Sequence, residues 1–181
     1  LLEECRAWAG RALALPDNAP GEQTARVELL WAFGHAAMFT ERNSHECEAA
    51  LRRGLALAQE VGDLQNQFRL LSRLHALYRR TYERRRLLEV AQLADAVAIK
   101  TEHPAALARA HTYLGVAYHL SGDQRLARER LRAGEAGDAA IPTLPIDHFA
   151  SPRGTHIMSC TNLWLLGFPD QAVSVADGLM D

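Results

Sequence analysis

The chain has 181 residues, 48% of them hydrophobic, and a formal net charge of −2 at pH 7. That is enough material for a packed core, and the near-neutral charge provides no overall pull toward nucleic acid or an anionic membrane. No apolar run approaches the roughly 20 residues of a membrane span, and the three scattered cysteines, Cys5, Cys47 and Cys160, do not make a disulfide framework.

A reducing, cytoplasmic setting is expected, with no signal peptide at the start. Positive charge is almost wholly arginine, Lys100 being the single lysine. The chain opens at Leu1 inside what reads as a helix, LLEECRAWAGRALAL, and ends within another, QAVSVADGLMD. A piece of a longer protein is expected.

Taken in chain order, the apolar spacing predicts a leading helix at 1–15. Further helices are predicted at about 22–40, 43–62, 64–80, 83–102, 104–121, 123–139, 153–167 and 169–181. Pro16, Pro20 and Gly21 separate the leading helix from the rest. Gly62-Asp63, Pro104, Gly122-Asp123 and Pro169-Asp170 mark later turns, with each Asp positioned to cap the helix that follows. No segment alternates with period two, so no strands are expected.

The segments repeat. Forty residues before Gly115 stands His75, and forty before that stands His35. Gly115 is followed by Ala127, Leu131 and Gly134; His75 by Leu87, Ala91 and Ala94; His35 by Cys47, Leu51 and Gly54. Forty-five residues after Gly115, Cys160 is followed by Ala172. Each unit is a helix pair, with a half-unit at 1–15 and units at about 22–62, 64–102, 104–139 and 153–181. The first helix of each pair is termed A and the second B. Where A and B cross, small residues let the backbones approach. Gly115 with Ala127 and Cys160 with Ala172 are the expected contacts, and His75 with Leu87 and His35 with Cys47 are bulkier versions. Cys5 and Cys47 then fall at a packing position, where cysteine acts as a small hydrophobe.

The stretch HTYLGVAY…ARERL resembles the tetratricopeptide repeat. It keeps Leu114, Gly115, Tyr118, Ala127 and an apolar Leu131, with His111 in the tryptophan place. Trp31 fills that place two units earlier. The period is nearer 40 than the 34 of the consensus. AALRRGLALAQEVGDLQNQFRLLSRLHALYRR, LARAHTYLGVAYHLSGDQRLARERLRAG and CTNLWLLGFPDQAVSVADGL look like the tetratricopeptide region of large multidomain signalling ATPases and transcriptional regulators. The resemblance implies an all-α, right-handed α-solenoid of antiparallel helix pairs in a single domain over 1–181, with effector domains elsewhere in the parent.

Signatures of catalysis are missing from the sequence. It contains no G-x-x-x-x-G-K-[ST], no G-x-G-x-x-G after a strand and no G-x-S-x-G elbow. HECEA at 45–49 begins like H-E-x-x-H, but Ala49 stands where the second histidine should be. No two of the eight histidines have the i, i+4 zinc spacing. No enzyme activity, metal or cofactor is expected. RRTYERRR, Arg79 to Arg86, is the densest charge, and it sits on a turn. A solvated turn is its ordinary explanation, and contact with an anion or acidic partner is the alternative.

In stacked helix pairs the A helices line the concave face. Counting from Gly115, the inward stripe holds Arg109, Thr112, Val116 and His119; from His75 it holds Arg69, Ser72, Ala76 and Arg79. The earlier stripe is Leu29, Ala32, Ala36 and Phe39, and the last is Gly154, Ile157, Thr161 and Trp164. The middle is basic and polar and both ends are apolar. Arginine suits forked contacts with carboxylate or phosphate. Arg69, Ser72, Arg79, Arg109, Thr112 and His119 are therefore the candidate binding residues. The arm from Glu135 to Arg153 carries Ile141, Leu144, Ile146 and Phe149 and is expected to lie irregularly on the array.

Two functions follow. The first is a module for protein–protein interaction and regulation, filled by a peptide or another domain of its own chain. The second is a sensor for a small anionic ligand in a transcriptional regulator. Membrane association and direct nucleic-acid contact are not expected, and a homodimer is possible.

Overall fold

The computed structural model describes residues 1–15, 22–40, 45–139 and 152–178. Among these residues the chain is all-helical, without strands. In order the helices are α1 (Leu2–Leu13), α2 (Glu22–Thr40), α3 (His45–Glu60), α4 (Leu64–Thr81), α5 (Arg84–Thr101), α6 (Pro104–Ser121), α7 (Gln124–Ala139), α8 (Pro152–Leu165) and α9 (Pro169–Asp177). The A helices are α2, α4, α6 and α8.

The boundaries follow from local chemistry. Asp63 Oδ1 accepts from Asn66 N at 2.9 Å at the start of α4, and Asp123 Oδ1 accepts from Leu126 N at 3.1 Å at the start of α7. These bonds satisfy amide donors that have no partner inside the helix. Pro104 occupies the first turn of α6, where its missing N–H removes nothing. Gly62, Gly122 and Gly167 turn the chain with positive φ of 72°, 95° and 84°. Asp170 departs from its expected capping role. It lies inside the first turn of α9, where an acid suits the helix dipole, and Phe168 is the N-cap.

The chain divides into two compact units, Leu1–Thr101 and Glu102–Asp181. In the first, α1 to α5 pack in succession and α2 also meets α4. Its core holds Val27, Met38, Leu51, Leu70, Leu74 and Leu87, each almost wholly excluded from solvent. Burying one such side chain stabilises by about 1.5–3 kcal/mol. Arg26 of α2 donates to the carbonyls of Leu13 and Leu15, at 3.0 and 3.3 Å, closing the end of α1. In the second unit α6 to α9 pack in succession and α6 also meets α8. Its core includes Val116, Ala117, Ala127, Leu131 and Leu163.

The helix crossings are close, as the small residues require, but the opposing residue differs from expectation. A Cβ added at Gly115 would stand 2.7 Å from Leu131 Cγ and 2.9 Å from Leu131 N, so Leu131, one turn beyond Ala127, closes on the glycine. In the α2–α3 pair the close point is Gly34, not His35. A Cβ there would stand 2.6 Å from Leu51 Cδ2. The His35 ring instead lies between the rings of Trp31 and Phe39. The expected arm also begins later. Residues 135–139 continue α7 because Gly137 faces Ala108, where a Cβ would stand 3.3 Å from Ala108 Cα, and Gly134 faces the same stretch of α6. Arg153 lies within α8. Ile141, Leu144, Ile146 and Phe149 fall outside the described residues, as do Pro16, Pro20 and Gly21.

Candidate functional site

The six candidate residues divide between the units: Arg69, Ser72 and Arg79 on α4, and Arg109, Thr112 and His119 on α6. Ser72 and Thr112 are 7% and 6% exposed, so their hydroxyls serve packing and local bonding rather than an open face. Thr112 Oγ1 donates to the Ala108 carbonyl at 3.3 Å. Arg79 is exposed, and Arg109 and His119 are half-buried.

In the first unit an aromatic ladder runs up α2. Trp31 stacks on His35 with centroids 5.2 Å apart, and His35 meets Phe39 edge-on at 5.3 Å. The i, i+4, i+8 spacing of the three rings places them on one helix face. Arginines of α4 cover them: Arg69 Cζ lies 4.4 Å from the Trp31 ring, Arg73 Cζ 5.8 Å from it, and Arg80 Cζ 5.2 Å from Phe39. Arg69 also pairs with Glu28 at 2.6 Å and bonds Asn66 Oδ1 at 2.7 Å. It is therefore held as part of the α2–α4 contact. The indole N–H of Trp31 and the Nε–H of Arg69 are buried and have no acceptor among the described residues. The sequence placed Arg69 on this face but not Arg73, Arg80 or the ring ladder. Trp31, His35 and Phe39 at fourfold spacing were the available signal.

In the second unit a polar network joins α6, α7 and α8. Gln124 Nε2 donates to the His119 carbonyl at 3.1 Å, which leaves Gln124 Oε1 to accept from His119 Nδ1 at 2.9 Å. Asn162 Nδ2 donates to Gln124 O and Oε1, both at 2.9 Å. Thr161 Oγ1 lies 3.3 Å from His119 Nε2. Asn162 is completely buried. Beside this network Ile157 and Trp164 of α8 are 51% and 63% exposed. They lie seven residues apart, two helical turns, and share a face with exposed Thr161.

A third cluster, unforeseen in the sequence, ties α3 to α4 and α5. Glu48 Oε1 accepts from Arg52 Nε at 2.8 Å, from the Tyr78 hydroxyl at 2.8 Å and from Arg86 Nη1 at 3.2 Å. Burial alone would raise the Glu48 carboxyl, but hydrogen bonds from Arg52 and Tyr78 and the charge of Arg86 hold it below its ordinary value. Burial and the bond to Glu48 push the Tyr78 hydroxyl up to about 12.

Cys47 is fully buried, its thiol donates to the Gly34 carbonyl at 3.2 Å, and burial pushes that thiol up to about 11. It packs as expected. Cys5 departs from expectation and is exposed. Among the described residues no three His, Cys, Asp or Glu side chains gather to hold a metal ion, and no helix is long and apolar enough to cross a membrane. Comparison with family models, with curated proteins and with solved structures finds no match for the chain.

Proposed function

We propose that the chain is a non-catalytic helical-repeat module that docks a protein or peptide partner on the open faces of its A helices. It belongs, in this reading, to the tetratricopeptide-like, right-handed solenoid region of a cytoplasmic multidomain signalling or transcriptional regulatory protein. Two features support the architecture: helix starts repeat at forty residues, from Leu64 to Pro104 and from Arg84 to Gln124, and Leu114, Gly115, Ala127 and Leu131 are all buried.

One observation carries the docking function. Ile157 and Trp164 stand exposed two turns apart on α8, on the stripe that stacked pairs turn toward a ligand. Exposed apolar patches rimmed by polar groups mark interaction sites, and tryptophan is enriched among residues that dominate interfaces. His119, Gln124 and Asn162 fix α8 against its neighbours and so hold the stripe rigid. The test is selection of binding peptides on the immobilised chain, repeated on a variant with Trp164→Ala and Ile157→Ser. Loss of binding by the variant supports the reading, and unchanged binding removes it.

A second reading, a small-anion sensor, draws on the first unit. The indole N–H of Trp31 and the Nε–H of Arg69 are buried without acceptors. A buried unpaired donor is destabilising by about 1–3 kcal/mol, and a carboxylate or phosphate would supply the missing acceptor. A thermal-shift series with anionic metabolites and nucleotides tests it, because a ligand that binds only the folded state raises the melting temperature.

A further inference from the structure

We propose that the corner joining α4 to α5 is a docking surface for an acidic segment of a partner protein. It shares Arg79 and Phe39 with the A-helix stripe. Arg79, Arg80, Tyr82 and Arg84 are all exposed. Phe39 of α2, 39% exposed, adds a second aromatic ring beneath Arg80. Arg85 is paired with Glu89 at 3.1 Å, and Arg86 with Glu83 at 2.9 Å and Glu48 at 3.2 Å. Arg79 and Arg84 have no ion pair among the described residues.

The matching corners of the chain behave differently. The α6–α7 and α8–α9 corners turn on Gly122 and Gly167, at φ of 95° and 84°. The α4–α5 corner turns on Tyr82 at φ 58°, a conformation that favours glycine, and its side chain is 74% exposed. Packing does not repay that choice. The first turn of α9 carries Asp170 and the start of α7 is capped by Asp123; α5 has Glu83 at the place of Asp123 but then opens with Arg84, Arg85 and Arg86. Arg84, which has no ion pair among the described residues, opposes the field at the positive end of the helix dipole. Glu102, before α6, is the other described non-glycine residue with positive φ, at 54°. The α4–α5 corner differs from that turn in joining an exposed ring at this conformation to a cluster of exposed arginines, as happens where a surface serves binding.

The chemistry of the surface names the partner. Guanidinium groups bind carboxylates through forked, charge-assisted hydrogen bonds. Tyr82 and Phe39 offer rings to an apolar side chain beside those carboxylates. The occupant is a short run of Asp and Glu interrupted by apolar residues. A nucleic acid fits less well: its affinity grows with the number of phosphates neutralised, and here Glu83 and Glu89 already engage two of the five arginines while the whole chain is net negative.

The experiment uses the full chain and fluorescence anisotropy. The probes are a short labelled peptide of Asp and Glu with one Leu and one Phe, its Asn/Gln counterpart, and an oligouridylate of equal length. The acidic peptide is expected to bind and the amide peptide not to bind. Arg79→Gln with Arg84→Gln is expected to weaken binding ~10-fold or more, the scale of a lost charge-assisted contact. Tyr82→Gly is the variant that separates binding from folding. It is expected to weaken binding while leaving the melting temperature unchanged or higher, since glycine adopts the left-handed conformation freely. Trp164→Ala is expected to bind the peptide as the parent chain does. No binding of the acidic peptide, equal binding of the amide peptide, tighter binding of the oligouridylate, or full affinity in the double arginine variant would each overturn the proposal. Loss of affinity in Trp164→Ala alone would move the contact to the A-helix stripe and overturn it likewise.

Discussion

The Tyr78 hydroxyl donates to Glu48 Oε1 at 2.8 Å, joining α4 to α3 across thirty residues of sequence. The same carboxylate accepts from Arg52 on its own helix and from Arg86 on α5. One half-buried acid thus fastens three helices of the first unit. Replacing it leaves a hydroxyl and two guanidinium groups short of an acceptor. Glu48→Ala is expected to destabilise the first unit by about 1–2 kcal/mol, read by chemical denaturation.

The same cluster sets a pH dependence with a definite sign at each end. The Glu48 carboxyl is held below its ordinary 4.5 in the folded chain, so its contribution is present above that pH and is lost as pH falls below it. The Tyr78 hydroxyl is raised from 10.0 to about 12, so its contribution is present below pH 10 and is lost as pH rises toward 12. Stability curves against pH should therefore flatten on the acid side in Glu48→Gln. They should flatten on the alkaline side in Tyr78→Phe.

Gly115 tests the close crossing of α6 and α7. Alanine there would gain about 1 kcal/mol of helix propensity, yet its Cβ would stand 2.7 Å from Leu131 Cγ and 2.9 Å from the Leu131 backbone nitrogen. Overpacking of this kind costs about 1–3 kcal/mol, and the backbone atom cannot swing away. A net loss is expected in Gly115→Ala. Leu131→Ala added to it should recover only the side-chain part, which a double-mutant cycle would read.

The helix order, the turns and the forty-residue spacing were legible because glycine, proline and aspartate punctuate the sequence where the chain needs positive φ, a free first amide or a cap. Gly122, Pro104 and Asp63 each do what their chemistry suggests. The faces of the helices were less legible. Gly34 and His35 are neighbours, and choosing between them as the crossing point depends on a crossing geometry that spacing alone does not contain. The same uncertainty put Ser72 and Thr112 on an open stripe, although both are buried. Contacts distant in sequence, such as Glu48 with Tyr78 and Gln124 with Asn162, carry no local signal at all.

Asn162 is buried and its side-chain amide serves only Gln124 among the described residues. Asn162→Ala should cost about 1–3 kcal/mol and free the α8–α9 pair. Hydrogen exchange is expected to accelerate across α8 and α9 before α6.

The thiols should separate cleanly. Cys5 is exposed, Cys160 is half-buried with its thiol raised chiefly by burial, and Cys47 is buried with its thiol near 11. A shift of about two units lowers the thiolate fraction ~100-fold. Disulfide exchange with a chromogenic reagent at mildly alkaline pH should modify Cys5 first and Cys47 only on unfolding.

The central claim is that the exposed stripe of α8 docks a partner. It is tested most directly by titrating a peptide selected on the immobilised chain into the parent chain and into Trp164→Ala/Ile157→Ser, by calorimetry, with melting temperatures measured alongside. Both side chains are more than half exposed, so the variant should fold and melt as the parent does. Micromolar binding to the parent, weakened at least ~10-fold in the variant, is the expected result, since truncating an anchoring tryptophan costs on the order of 2 kcal/mol or more. Equal affinity in both chains, or selection that enriches no peptide, would contradict it.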